Sequence, residues 1–211
     1  MKKLILLKLT CFILILNTNL YAQEFKFGLV GGLDIANSRL TNKPNIYSRV
    51  YYPMISFNIN GFVGYKSAGF WGISLEPGYI QKGGVQQYNK EDKDDDVRFQ
   101  MNYLQLPLLV DFYLGKKFSI SVGPEFAYLI NVKAKSKDLS NDISNFYDNN
   151  FEISGNIGIN YNIHKHFDIG LRYNLGLTYT TKIIWSDETG IPIDESKEYN
   201  QYFQVLVRFK I

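Results

Sequence analysis

From Phe25 onward the apolar residues recur at every second position, which is the period of a half-buried strand and not that of a helix. "FKFGLVGGLDI" places Phe25, Phe27, Leu29, Leu33 and Ile35 on one face and Lys26, Gly28, Gly32 and Asp34 on the other. The same split runs through "ISFNINGFVGY" (55–65), "WGISLEPGY" (71–79), "YLQLPLLVDFY" (103–113), "FSISVGPEFAYLI" (118–130), "FEISGNIGINY" (151–161), "FDIGLRYNLGLTY" (167–179) and "YFQVLVRFKI" (202–211). Such segments number about eight, each near the ~9–11 residues that a tilted strand needs to cross a bilayer.

The connections alternate in length. "KSAGF", "LGKKF" and "NIHKH" are short turns after the second, fourth and sixth segments, whereas 36–53, 82–97, 131–150 and 180–197 are long and polar. Short turns on one rim and long loops on the other describe an up-and-down barrel with both termini on the short-turn side. The expected fold is all-β: an eight-stranded antiparallel up-and-down transmembrane β-barrel with short periplasmic turns and long extracellular loops.

The first residues place the chain outside the cytoplasm. Lys2, Lys3 and Lys8 flank or interrupt an apolar run over 4–16, followed by "NTN" and "LYAQ". This is the pattern of a secretory signal peptide, 1–22, cut between Ala22 and Gln23, with 23–211 as the barrel domain. Removing 1–22 takes three lysines and no acid from a chain with 23 Lys and Arg against 20 Asp and Glu, leaving 20 of each. That balance excludes a nucleic-acid partner. Cys11, the single cysteine, lies in the leader, and the apolar "FILIL" after it argues against a lipid-anchored amino terminus. No later stretch reaches the ~20 apolar residues of a spanning helix. Export without such an anchor leaves a secreted, periplasmic or outer-membrane protein.

Alternation alone suits a soluble lipocalin-like binding barrel as well as a membrane one. The second face decides between them: it is mostly Gly, Ser and Asn with occasional charges, which suits the narrow inside of eight strands better than a surface meeting water. Tyr65, Tyr79, Tyr161, Tyr173 and Tyr179 stand near segment ends, where interfacial aromatic girdles belong. The Phe, Ile, Leu and Val face is therefore expected to meet lipid in the outer membrane. A closed barrel pairs its last strand with its first. The chain can then end on a strand, and Phe203, Val205, Val207, Phe209 and Ile211 resemble a carboxy-terminal sorting signal read by the barrel-insertion machinery. The last residue is Ile211 where such signals usually carry Phe or Trp.

The leader ending "YAQ", then "FGLVGGLD", "LEPGYIQKGG", "NYLQLPLLVDFYLG", "SVGPEFAYLI" and "DIGLRYNLGLT" together resemble the PorT-like outer-membrane β-barrel proteins of Bacteroidetes. The resemblance covers nearly all of 23–211, with "YLQLPLLV" and "GPEFAYL" its most specific parts. It implies a barrel and a link to protein secretion and maturation at the cell surface; it brings no catalytic residue with it.

Charges on the inward face need partners or water. Glu76, Glu125 and Glu152 with Arg172, Arg208 and Lys26 are expected to form a polar network that fills the lumen and fixes strand register, in preference to an ion path. Asp34, Asp111, Asp168 and Lys210 share that face. His164 and His166 lie one residue apart in a short turn near Asp168, without the further His or Cys that a zinc site uses. They are also on the wrong rim for a lipid-modifying hydrolase, which needs Ser, His and a carboxylate together near the long loops. No catalytic residue, metal or cofactor is expected. Loop 89–98 gathers Glu91, Asp92, Asp94, Asp95 and Asp96 without calcium-loop spacing and reads as solvated. Lys133, Lys135 and Lys137 could contact lipopolysaccharide or stay solvated, and Trp185 is the candidate loop contact for a partner. The functional expectation is a non-enzymatic structural or interaction module of the outer membrane, linked to surface protein secretion. Its partners would be membrane lipid and lipopolysaccharide, the insertion machinery and a surface protein. A small-molecule transporter or binder using the lumen is the alternative, beside the soluble lipocalin-like barrel.

Overall fold

The computed structural model describes residues 24–41, 51–87, 96–137, 139–186 and 189–211. The leader with Cys11, and Glu91 to Asp95 of the acidic loop, lie outside the described residues. Eleven strands form one antiparallel sheet: β1 (Glu24–Thr41), β2 (Met54–Lys66), β3 (Trp71–Leu75), β4 (Gly78–Gln86), β5 (Val97–Leu114), β6 (Phe118–Lys135), β7 (Ser140–Asp142), β8 (Phe151–His164), β9 (Phe167–Gly176), β10 (Thr181–Ser186) and β11 (Pro192–Lys210). β3 and β4 are two halves of one stave, β10 continues the line of β9, and β7 is a short addition beside β6, so the barrel has eight staves.

Pro77 separates β3 from β4 because it brings no N–H to the ladder. The register nevertheless carries through: Leu75 pairs with Val63 and Gly78 with Asn60, on the same diagonal. Ring closure is made by β1 against β11, from Gly28 opposite Lys210 to Thr41 opposite Lys197. The Ile211 N–H completes the seam by donating to the Phe27 carbonyl at 2.8 Å. Gly28 lets the two strands approach, since a Cβ there would overlap the Phe209 carbonyl oxygen.

The strands run well past the length expected of them. β1, β5 and β6 have 18 residues each and β11 has 19. Ala36 to Thr41, Lys82 to Gln86, Val97, Asn131 to Lys135 and most of 180–197, read above as loop, are therefore strand. Beyond the apolar band the ladder hydrogen bonds still satisfy the backbone in water, so pairing need not stop where the lipid-facing pattern fades.

Every residue assigned to the apolar face points out of the barrel. Phe27, Leu33, Ile55, Leu104, Ile157 and Val205 are each half exposed or more. Aromatic pairs collect toward the short-turn end, with Phe25 5.2 Å from Tyr65, Phe118 4.9 Å from Tyr161 and Phe167 5.2 Å from Phe209 between ring centres. The inner face departs from the small, polar filling anticipated for it. Val30, Phe62 and Leu206 form one buried apolar cluster. Ala36, Met54, Ile80, Met101, Tyr103, Ala127, Leu129, Val132 and Tyr202 form a second, toward the long-loop end.

Candidate functional site: the lumen and its two mouths

The even residues of β11 cross the whole interior in sequence. From the short-turn rim they are Lys210, Arg208, Leu206, Gln204, Tyr202, Asn200 and Glu198, all buried. Alternation places them in, and each meets a different layer of the packing.

At the short-turn mouth Lys210 Nζ donates to Asp168 at 2.7 Å, and Arg208 lies 3.8 Å from the other oxygen of that carboxylate. Next, Glu76 accepts two hydrogen bonds from Arg172, at 2.8 and 3.0 Å, and one from Arg208 at 2.7 Å. Two guanidinium groups thus converge on one carboxylate, and the Arg208 group also lies 4.4 Å over the ring of Phe62. Above this, Asp34 is held by Asn58 at 3.0 Å and by Gln204 at 2.9 Å.

A second ion cluster lies further along. Lys82 Nζ donates to Glu125 at 2.9 Å and to Glu152 at 2.8 Å. Tyr202 donates to Glu125 at 2.6 Å and Asn200 to Glu152 at 2.7 Å, so both carboxylates are held from several staves. The rings of Tyr103 and Tyr202 lie 5.0 and 5.4 Å from the ammonium. The larger apolar group packs around this cluster and extends from it toward the long loops.

The six residues expected to form one network divide as follows. Glu76, Arg172 and Arg208 come together, while Glu125 and Glu152 form a separate cluster whose cation is Lys82 and not an arginine. Lys26 belongs to neither: it stands at the short-turn rim, 3.2 Å from Glu24, because β1 enters the barrel there. Sequence reasoning missed Lys82 by ending its strand at Tyr79. A signal was present, since the inward acids outnumbered the inward cations and continued alternation turns Lys82 inward.

The rims hold the remaining candidates. His166 Nδ1–H donates to the Lys210 carbonyl at 2.8 Å, which ties a turn to the seam strand. Among the described residues no group of three or more His, Cys, Asp or Glu side chains converges as a metal site would require. Trp185 is not on an irregular loop but on β10, where its indole N–H donates to Ser196 at 2.6 Å. Phe203, Val205, Val207, Phe209 and Ile211 all lie on the outer face. On β11 the lipid-facing run ends at Phe203, so Glu198 stands beyond it on the long-loop lobe. Burial pushes its carboxyl up to about 7, and the hydrogen bond from Tyr51, 3.3 Å long, offsets only part of that.

A closed ring of staves with a continuous apolar exterior and a polar, charged interior is what a membrane barrel requires. The family model described as "Outer membrane protein beta-barrel domain" matches residues 21–182, more than half of the chain. The chain belongs to that family. The barrel therefore sits in the outer membrane, with its short turns toward the periplasm and its long-loop lobe outside. It is similar in fold to Ail, the attachment invasion locus protein of Yersinia pestis, at 12% identity and a TM-score of 0.47, covering 89% of this chain and 99% of that one. Neisserial surface protein A gives 11% identity and a TM-score of 0.48, over 90% of this chain and 99% of that one. OprG from Pseudomonas aeruginosa gives 13% and 0.43, over 90% and 95%. Comparison with curated protein sequences gave no match.

Proposed function

We propose that this outer-membrane barrel is a non-enzymatic structural or interaction module whose sealed body holds a stiff extracellular lobe for a surface partner. The observation that carries this reading is the contrast between the two ends of the staves. Along the staves the lumen is filled by two ion clusters and two apolar clusters. Outside the membrane the strands continue as paired β structure, with β10 against β11 from Thr181 opposite Glu198 to Ser186 opposite Pro192. A transporter would spend the interior on a path; here the interior holds the lobe in place. The exposed side chains of Ile184 and Ile191 on that hairpin are apolar surface facing water, of the kind a partner covers. The link to surface protein secretion, and the PorT-like membership within Bacteroidetes, follow from the resemblance of "YLQLPLLV" and "GPEFAYL". On the same reading residues 1–22 are removed on export, and the outward residues of the last strand, Phe203 to Ile211, are what the insertion machinery reads.

Photo-crosslinking in cells tests the proposal. A crosslinker at Ile184 or Ile191 is expected to give a discrete protein adduct, while one at the lipid-facing Val205 gives only lipid. Absence of a protein adduct from either hairpin position would overturn it.

A further inference from the structure

The three short turns share a property that neither the barrel nor its outer lobe requires. Each carries lysine and none carries an acid: Lys66 leads into the first, Lys116 and Lys117 form much of the second, and Lys165 lies in the third. They surround a cavity of about 220 Å³ that opens at the periplasmic mouth, with Arg208, Lys210 and Asp168 at its inner end.

The deeper charges are matched. Lys210 pairs with Asp168, Arg208 is shared between Glu76 and Asp168, and Lys26 pairs with Glu24. The turn lysines are not. Lys66 lies 4.6 Å over the ring of Tyr113, and Lys117 reaches the Tyr161 hydroxyl at 3.5 Å. No carboxylate among the described residues lies within ion-pair reach of Lys66, Lys116, Lys117 or Lys165. A further donor waits at the inner end: the Arg208 Nε–H is buried and has no hydrogen-bond partner, although its terminal nitrogens are engaged. The neighbouring Ser119, Asn160 and Asn162 add polar atoms to the wall.

Four lysines without an ion-pair partner line a cavity whose two carboxylates, Glu24 and Asp168, are already paired with Lys26, Arg208 and Lys210; above a buried unspent guanidinium donor they form a receptor for anions. We propose that this vestibule binds a multiply charged phosphate group, a pyrophosphate or phosphate ester, entering from the periplasm. The volume admits a phosphate-bearing group and a few waters, at ~30 Å³ per water, and is too small for a folded segment. Ammonium groups suit phosphate as compact point charges, and several of them match an anion carrying more than one charge. The source is either a free phosphorylated molecule or the headgroup of a lipid in the inner leaflet, because the turns stand at the level of both.

The test is calorimetric titration of the full barrel in maltoside micelles with pyrophosphate. The expected result is saturable one-to-one binding that weakens ~tenfold as ionic strength rises from ~0.05 to ~0.5 M, since exposed charges are screened. The variant K116E/K117E/K165E changes exposed turn positions and is expected to lose binding at least ~tenfold while keeping its heat-modifiable mobility. K133E/K135E, on the outer lobe, leaves binding unchanged. Nanodiscs then separate the sources: phosphatidic acid, whose headgroup is a phosphomonoester, competes with pyrophosphate if a headgroup is the natural occupant, and leaves it unaffected if a free phosphate is. No saturable binding, equal binding by the turn variant, or tighter binding of an acidic peptide than of pyrophosphate would overturn the proposal.

Discussion

Lys82 shows how much one side chain can hold in a barrel this narrow. Its ammonium is fully buried between Glu125 and Glu152, and both carboxylates depend on it. Removing one member of a buried ion pair leaves the other charge unpaired, at a cost of about 3–5 kcal/mol. Lys82→Met should therefore lower stability by about that amount in urea unfolding followed through Trp71 and Trp185, and adding Glu125→Gln and Glu152→Gln should restore most of it. A Lys82→Met barrel as stable as the unaltered one would mean that the cluster is not formed. The identity of this residue was open to inference from the sequence, its place was not. Glu76, Arg172 and Arg208 fall inward by simple parity and lie together. Which carboxylate faces which cation depends on stave order around the ring, and one linear pattern does not contain that. Lys26 has the right parity but sits too near the rim to enter the network.

Among the elements, the long outer ends of the staves were the least legible. Their apolar alternation stops at the membrane boundary, while backbone pairing continues through polar residues such as Glu195, Ser196 and Lys197 that carry no lipid-facing signal. The β10–β11 hairpin nevertheless contains a titrating group with a measurable effect. Glu198 is held up to about 7 by burial, above its ordinary value of 4.5. A carboxyl raised on folding favours the neutral form, so its contribution is fully present below pH 4.5 and is lost as pH rises through 7. Between those limits the difference is roughly 3 kcal/mol, at 1.36 per unit. Denaturation midpoints of the unaltered protein should fall from pH 5 to pH 8 by more than those of Glu198→Gln, in which this contribution is flat. Parallel pH profiles for the two proteins would show that the Glu198 carboxyl titrates in its ordinary range.

For the molecule as a whole the sequence was most informative, because closing eight staves in lipid imposes one rule on every residue. Outward positions must be apolar, and Phe27, Ile59, Leu108, Ile157 and Val205 obey it. The interior obeys a looser rule, fill the space and pair the charges, which Leu206 satisfies as well as Gln204 does. The inner apolar clusters were hidden in the sequence for that reason. Val205, near the middle of the lipid-facing run of β11, should be intolerant of charge: Val205→Arg is expected to cost about 2–4 kcal/mol of unfolding free energy in vesicles. A cost near zero would place that face in water.

A barrel filled in this way should not conduct. The two ion clusters lock the staves together, and buried side chains hydrogen-bonded to one another occupy the lumen between the periplasmic vestibule and the outer lobe. The decisive measurement is single-channel recording of the purified protein reconstituted in a planar lipid bilayer. Insertion without discrete conductance steps, verified by recovery of heat-modifiable protein from the same membranes, is the expected result. Reproducible steps that scale with salt concentration would contradict it, and would make the lumen a path where the structure describes a plug.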